Sequence, residues 1–290
     1  MAKENEIRHN WEEIWNKLSG GGIDKHISDR VKQNSLKRFF NLIASHVKNA
    51  EKKWNFAKWN DELIAPEIKQ FAGGENTMVL DAACGSGRIT FTLVPATAFS
   101  VLTDISDTAI QLCRKNSELH KQGRMKPAIV QSSIVNLPFK QNCFDLVVNI
   151  GTIHYFDDNE RDVIISEFHR VLKNGGKLLI TVPYQKAYIF RLGMWYAKKT
   201  GQWEFVGERT VNSIKSLIKN CPGLKLVKEY SGGCLIQLYH LIYFFNTNKL
   251  LRMTVKKLYI LFAIFMNRVF WDLNFLNFCG IYLFGIVEKE

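Results

Sequence analysis

Between residues 76 and 184 the chain alternates short apolar runs with stretches of helical period. The runs at 77–80, 98–103, 127–131, 144–149 and 177–183 suit strands buried on both faces, and the segments between them are long enough for crossover helices. Such alternation predicts a parallel sheet with helices on both sides, and ligands bound at the carboxyl ends of its strands. Ahead of this core, Ile7, Trp11, Ile14, Trp15 and Leu18 share one helical face, and Gly20-Gly21-Gly22 stops the helix. Val31, Leu36, Phe39, Phe40, Ile43 and Val47 outline a second helix, and Glu62 to Phe71 a third, broken or begun at Pro66. Behind the core, Arg209 to Leu217 has helical spacing, and Leu224 to Tyr230 and Cys279 to Val287 have strand character.

The run Met78-Val79-Leu80 enters a turn, Asp81-Ala82-Ala83-Cys84-Gly85-Ser86-Gly87, whose glycines let backbone approach a ligand. Asp104 ends the next apolar run, 104 − 81 = 23 residues later, where a carboxylate can accept hydrogen bonds from ribose hydroxyls. A dinucleotide-binding turn would want a third glycine where Thr90 stands. Asp81 would repel a pyrophosphate but attract an ammonium group, so the expected ligand is a nucleoside with an amino-acid tail.

Here the sequence resembles the class I S-adenosylmethionine-dependent methyltransferases, in particular the type 11 group. Val79 to Gly87 is similar to the family's first motif. Asn136-Leu137-Pro138-Phe139 with Phe144 to Val148 resembles its fourth-strand region, and Phe168 to Ile180 its following helix, turn and fifth strand. The resemblance covers residues 76 to 184 closely. It implies S-adenosylmethionine as cofactor, with Asp81, Ala83, Cys84, Gly85, Gly87, Asp104, Ile105, Ser133, Ile134 and Asn149 as its contacts. Two positions depart from the family pattern: Ala83 replaces the first glycine of the motif, and Ser133 stands where many relatives carry an aspartate facing the adenine amine.

The expected fold is α/β, a Rossmann-like doubly wound and mostly parallel seven-stranded sheet. Its expected parts are a helical cap at 1–75, the core at 76–235, a basic apolar helical insertion at 236–275 and a final core strand at 276–290. Methyl transfer needs in-line placement of a nucleophile about 3 Å from the methyl carbon, and no metal. His154, beyond the fourth strand, and Tyr184, ending the fifth, are the candidate bases for an O- or C-acceptor. No Asn-Pro-Pro-Tyr, the motif of relatives that methylate the amino nitrogen of adenine or glutamine, and no Pro-Cys nucleophile follows the fourth strand, so the resemblance implies that these acceptors and cytosine C5 are disfavoured.

Composition adds a partner class. The 290 residues carry a net charge of +12, which favours an anionic partner. Tyr230 to Trp271 holds no acid, and its apolar clusters fall short of the roughly 20 residues a membrane span needs. With the aromatic stretch 185–209, expected to form a lid or substrate wall, this tail points to a small, hydrophobic or lipid-linked acceptor and to peripheral contact with an anionic membrane. RNA is the alternative acceptor, suggested by charge and by Trp54, Phe56 and Trp59 among lysines. A non-catalytic binding module is the third reading. Six cysteines without CxxC spacing and a charged start without a signal sequence fit reduced thiols in a cytoplasmic protein, at the inner membrane face if the tail docks there.

Overall fold

The computed structural model describes residues 56–74, 76–120, 125–201, 209–233 and 280–290, together with Arg8, His9, Trp11, Glu12, Glu13, Asn16, Phe244, Thr254, Val255 and Leu258. Seven strands form one sheet: β1 (Met78–Ala82), β2 (Phe99–Asp104), β3 (Ala128–Gln131), β4 (Phe144–Ile150), β5 (Leu172–Pro183), β6 (Leu224–Gly232) and β7 (Tyr282–Lys289). Their order is β3-β2-β1-β4-β5-β7-β6, parallel except for β7, which runs antiparallel to both β5 and β6. The helices are α1 (Phe56–Ala72), α2 (Arg88–Leu93), α3 (Asp107–Leu119), α4 (Asp158–Val171), α5 (Tyr188–Lys199) and α6 (Lys215–Ile218).

Successive residues of the central strands feed two hydrophobic layers. Leu80, Val147, Leu178 and Ile180 pack with Ile164, Ile165 and Phe168 of α4 on one face. Val79, Leu146, Val148 and Leu179 pack with Ile64 and Ile68 of α1 and Ile89 of α2 on the other. A strand with both faces covered must be apolar at every position, which is why these strands appear as unbroken runs. α4 is started by a capping box in which Asp157 accepts from the Glu160 amide (3.0 Å) and Glu160 accepts from the Asp157 amide (2.9 Å).

Three expectations change. α1 runs through Pro66 because the buried face made by Ile64, Ile68 and Ala72 spans the position, outweighing one missing backbone donor. The expected helix from Arg209 to Leu217 starts only at Lys215. The Arg209 amide donates to His154 O (2.9 Å) and the Val211 amide to Pro183 O (3.1 Å), leaving only α6 helical. β5 begins at Leu172 rather than 177: Leu172 pairs with Phe144 and Lys177 with Leu146, and the residues between them bulge out.

Apart from Phe244, Thr254, Val255 and Leu258, the 236–275 insertion lies outside the described residues, as do the 31–47 helix and Trp54. Among the described residues no helix is long and apolar enough to cross a membrane.

Candidate active site

The parallel strands end on one edge of the sheet, and the turn after β1 is held there from two sides. The Cys84 amide donates to Thr103 O (2.9 Å), the Gly85 amide to Asp104 Oδ2 (2.9 Å) and Asn116 Nδ2 of α3 to Ser86 O (2.9 Å). Ala83, Gly85 and Gly87 take left-handed conformations, with φ of 58°, 55° and 75°. Two glycines meet that demand without a Cβ; Ala83 does not, and its strain is of order 1–2 kcal/mol. Ala83→Gly is therefore expected to raise stability by roughly 0.5–1 kcal/mol once the freer unfolded glycine is counted, read as a higher urea midpoint at unchanged slope.

Asp104 is buried, and both its oxygens accept backbone amides, Oδ2 from Gly85 and Oδ1 from Ser106 (3.0 Å). Burial raises its pKa, and the amide bonds at Ser106, Gly85 and Ile105 oppose the rise. A carboxylate offers about four lone-pair directions, so acceptor capacity remains toward the open side. Asp81 is 3% exposed and accepts from Thr90 Oγ1 (2.8 Å). Burial lifts its pKa to about 6, with the Thr90 hydrogen bonds acting against the shift.

Both acids line a cavity of about 210 Å³, together with Ala83, Cys84, Gly85, Ile105, Ser133 and Ile134. The lining also contains Trp11, Ser86, Arg88, Ile89, Ser132, Ile150, Gly151, Thr152 and Phe156, which sequence reasoning did not assign to the site. Helical spacing marked Trp11 as one of the five residues of an apolar face, but not what that face meets. Its placement comes from Glu12, whose carboxylate accepts the amides of Asp107 and Thr108 at the start of α3, and from Asn16, which accepts the Thr108 hydroxyl (3.1 Å). Burial raises the Glu12 pKa, but these hydrogen bonds outweigh it and leave the group below its usual range. The Trp11 ring stands edge-on to Tyr155, 5.1 Å between centroids.

Several predicted residues sit elsewhere. Gly87 does not line the cavity; its missing Cβ makes room for Phe91, Cys113 and Leu102. Asn149 is fully buried behind the turn, donating Nδ2 to Ala82 O (2.9 Å). His154, one candidate base, is 3% exposed and outside the lining. Burial, then the charge of Arg161, push its pKa down to about 3, so the ring is neutral near physiological pH. Tyr184, the other, pairs with Val211 beyond β5, packs on the core and is likewise outside the lining. The described lid residues of 185–201 do not reach the cavity either. Cys84 does line it, but a hydrogen bond with Cys113 and then burial hold its thiol well above the usual range, which suits packing rather than attack. Ser133 Oγ accepts the Val135 amide (3.4 Å) and still lines the cavity. No metal-binding cluster of His, Cys, Asp or Glu occurs among the described residues.

The donor set fits a nucleoside with an ammonium-bearing tail. Asp104 stands at the end of β2, where a ribose would sit. Asp81, whose burial outweighs the Thr90 hydroxyl and amide and nearby Arg88 that favour its charge, gains from a cationic neighbour. The sign of the coupling follows: below about pH 6 the free protein holds a proton on Asp81, and an ammonium ligand must expel it. Affinity for S-adenosylhomocysteine is therefore expected to be complete above pH 7 and to fall roughly tenfold by pH 5, with proton release on binding, and Asp81→Asn should flatten the profile. Calorimetry in buffers of different ionisation enthalpy measures both.

Residues 80–180 match the family described as "Methyltransferase domain". A tRNA (carboxymethyluridine(34)-5-O)-methyltransferase of Arabidopsis thaliana is 28% identical over 52% of this chain and 33% of that protein. The demethylmenaquinone methyltransferase of Lactococcus lactis is 26% identical over 61% of this chain and 75% of its own length. The chain spans 33% and 54% of the lengths of the first two curated relatives it matches. Among solved structures, a SAM-dependent methyltransferase from Methanosarcina mazei superposes with a TM-score of 0.54 at 19% identity, over 77% of this chain and 97% of that one, which establishes the shared fold.

Proposed function

Because this chain carries a class I S-adenosylmethionine-dependent methyltransferase domain, we propose that it methylates an O or C atom, or less readily an N atom, of a small hydrophobic or lipid-linked acceptor. The observation that carries this reading is the mixed cavity, in which two buried carboxylates share the lining with Trp11, Ile89, Ile150 and Phe156. The acids suit the ribose and the amino-acid end of the cofactor; the apolar group suits a flat or aliphatic acceptor and excludes water from the reacting atoms.

When bound, S-adenosylmethionine supplies an electrophilic methyl whose carbon accepts the acceptor's electron pair while the C–S pair returns to sulfur. Asp104 binds and orients, Asp81 holds the ammonium end, and Trp11 with Phe156 covers the apolar part. Among the described lining residues the ionisable groups are Asp81, Cys84, Arg88 and Asp104, of which the acids are engaged as above. An acceptor that ionises by itself, such as a phenol or hydroquinone, fits this set best. The Lactococcus relative is named for a quinone, in line with that choice.

RNA is the second reading, favoured by the +12 charge and by the tRNA named in the Arabidopsis relative. Tritiated-methyl transfer from S-adenosylmethionine, assayed on naphthohydroquinones and alkylphenols in detergent and in parallel on unmodified tRNA, separates the two. Label in the phenolic fraction, lost with Trp11→Ala, is the expected outcome. Label in tRNA alone would overturn the hydrophobic-acceptor reading.

A further inference from the structure

α5 leaves the carboxyl end of β5, on the edge of the sheet that carries the cavity, and it is apolar on two sides. Phe190, Gly193, Met194 and Ala197 are buried. Tyr188, Leu192 and Trp195 point the other way and are 72%, 51% and 57% exposed. Their spacing of i, i+4 and i+7 aligns them in one ridge, and Lys199 at i+11 continues it, with its Nζ 5.3 Å from the Trp195 ring centre. A flank is already covered, since Tyr196 stacks on Phe244 at 4.3 Å, whereas the ridge stays open.

Charge identifies what the ridge fits. The helix YIFRLGMWYAKK has no acid, and by helical spacing Arg191 and Lys198 flank the ridge, the Arg191 guanidinium donating to Gln185 O (3.3 Å) and Thr210 Oγ1 (3.0 Å). A two-fold contact with a second copy would set these cations against one another. Tyr and Trp with lysines that can extend past them instead match the boundary between headgroups and acyl chains. We infer that the outer ridge of α5 is a docking surface for an anionic lipid bilayer, holding the cavity edge of the sheet toward the membrane. The inference is drawn from α5 alone and stands whichever acceptor is methylated.

The test is co-sedimentation of the full chain with vesicles of phosphatidylcholine containing about a third phosphatidylglycerol, and with pure phosphatidylcholine vesicles. The anionic vesicles are expected to bind the protein and the neutral ones much less. The doubly substituted Leu192→Ser, Trp195→Ser protein should bind the anionic vesicles roughly tenfold or more weakly. These side chains are exposed and away from the cavity, so circular dichroism and S-adenosylhomocysteine affinity should stay as in the unsubstituted protein. Equal binding by both proteins would assign the contact to other parts of the chain and overturn the inference. A dimer in sedimentation velocity that the double substitution dissolves would overturn it in favour of self-association.

Discussion

Gly87→Ala is expected to destabilise the domain by roughly 2–4 kcal/mol and to shift the urea midpoint accordingly. At φ 75°, an alanine bears the left-handed penalty. Its Cβ would also fall 2.5 Å from the Phe91 ring, 2.8 Å from Cys113 Sγ and 2.8 Å from Leu102 Cδ2. Real Cβ atoms essentially never come that near a neighbour, and Leu102 and Cys113 are fully buried, so relief must come from moving α2 or α3 off the sheet. Gly175→Ala isolates the backbone part: its φ is 74° and its Cβ would meet no atom within 4 Å, so about 1 kcal/mol is the expected loss and the excess at Gly87 is the packing part. Equal losses at the two positions would mean that the turn after β1 is not packed as seen here.

The second large effect belongs to Asp104. Asp104→Ala removes the acceptor for the Gly85 and Ser106 amides, each a charge-assisted bond worth about 1.5–3 kcal/mol, and removes the ribose partner at the same time. Affinity for S-adenosylhomocysteine should fall at least about a hundredfold, since 1.4 kcal/mol is a factor of ten. The loss should exceed that of Asp104→Asn, which keeps one acceptor oxygen. Retained affinity in the alanine variant would place the nucleoside away from the end of β2.

Much of the fold could be read in the chain because a strand covered on both faces has to be apolar throughout. The five runs between 77 and 183 therefore mark β1 to β5 with errors confined to their ends. Methyltransferase character was legible in the turn Asp81 to Gly87 for a related reason, since left-handed backbone writes glycine into the sequence. Other features depend on partners distant in sequence. Val211 has helical spacing with Ile214 and Leu217, but its backbone finds Pro183 and Tyr184, and pairing prevails. His154 has the right chemistry for a base, yet burial beside Arg161 strips it of charge, and burial is a tertiary property. The Arg161 guanidinium is spent on the carbonyls of Ile153, His154 and Arg209, fastening the loop after β4 to the segment after α5. Trp11 reaches the cavity where Glu12 finds the start of α3, 95 positions along the chain. The acidic end of α3 gives no sequence sign of that contact.

The most direct measurement is a calorimetric titration of S-adenosylhomocysteine into the full chain at pH 7.5 and again at pH 6. One site with micromolar affinity, protons released on binding near pH 6 and the site lost in Asp104→Ala is the result predicted from Asp81 and Asp104. Absence of binding at millimolar ligand, or binding that both acids can be removed without affecting, would contradict a cofactor site at the ends of β1 and β2.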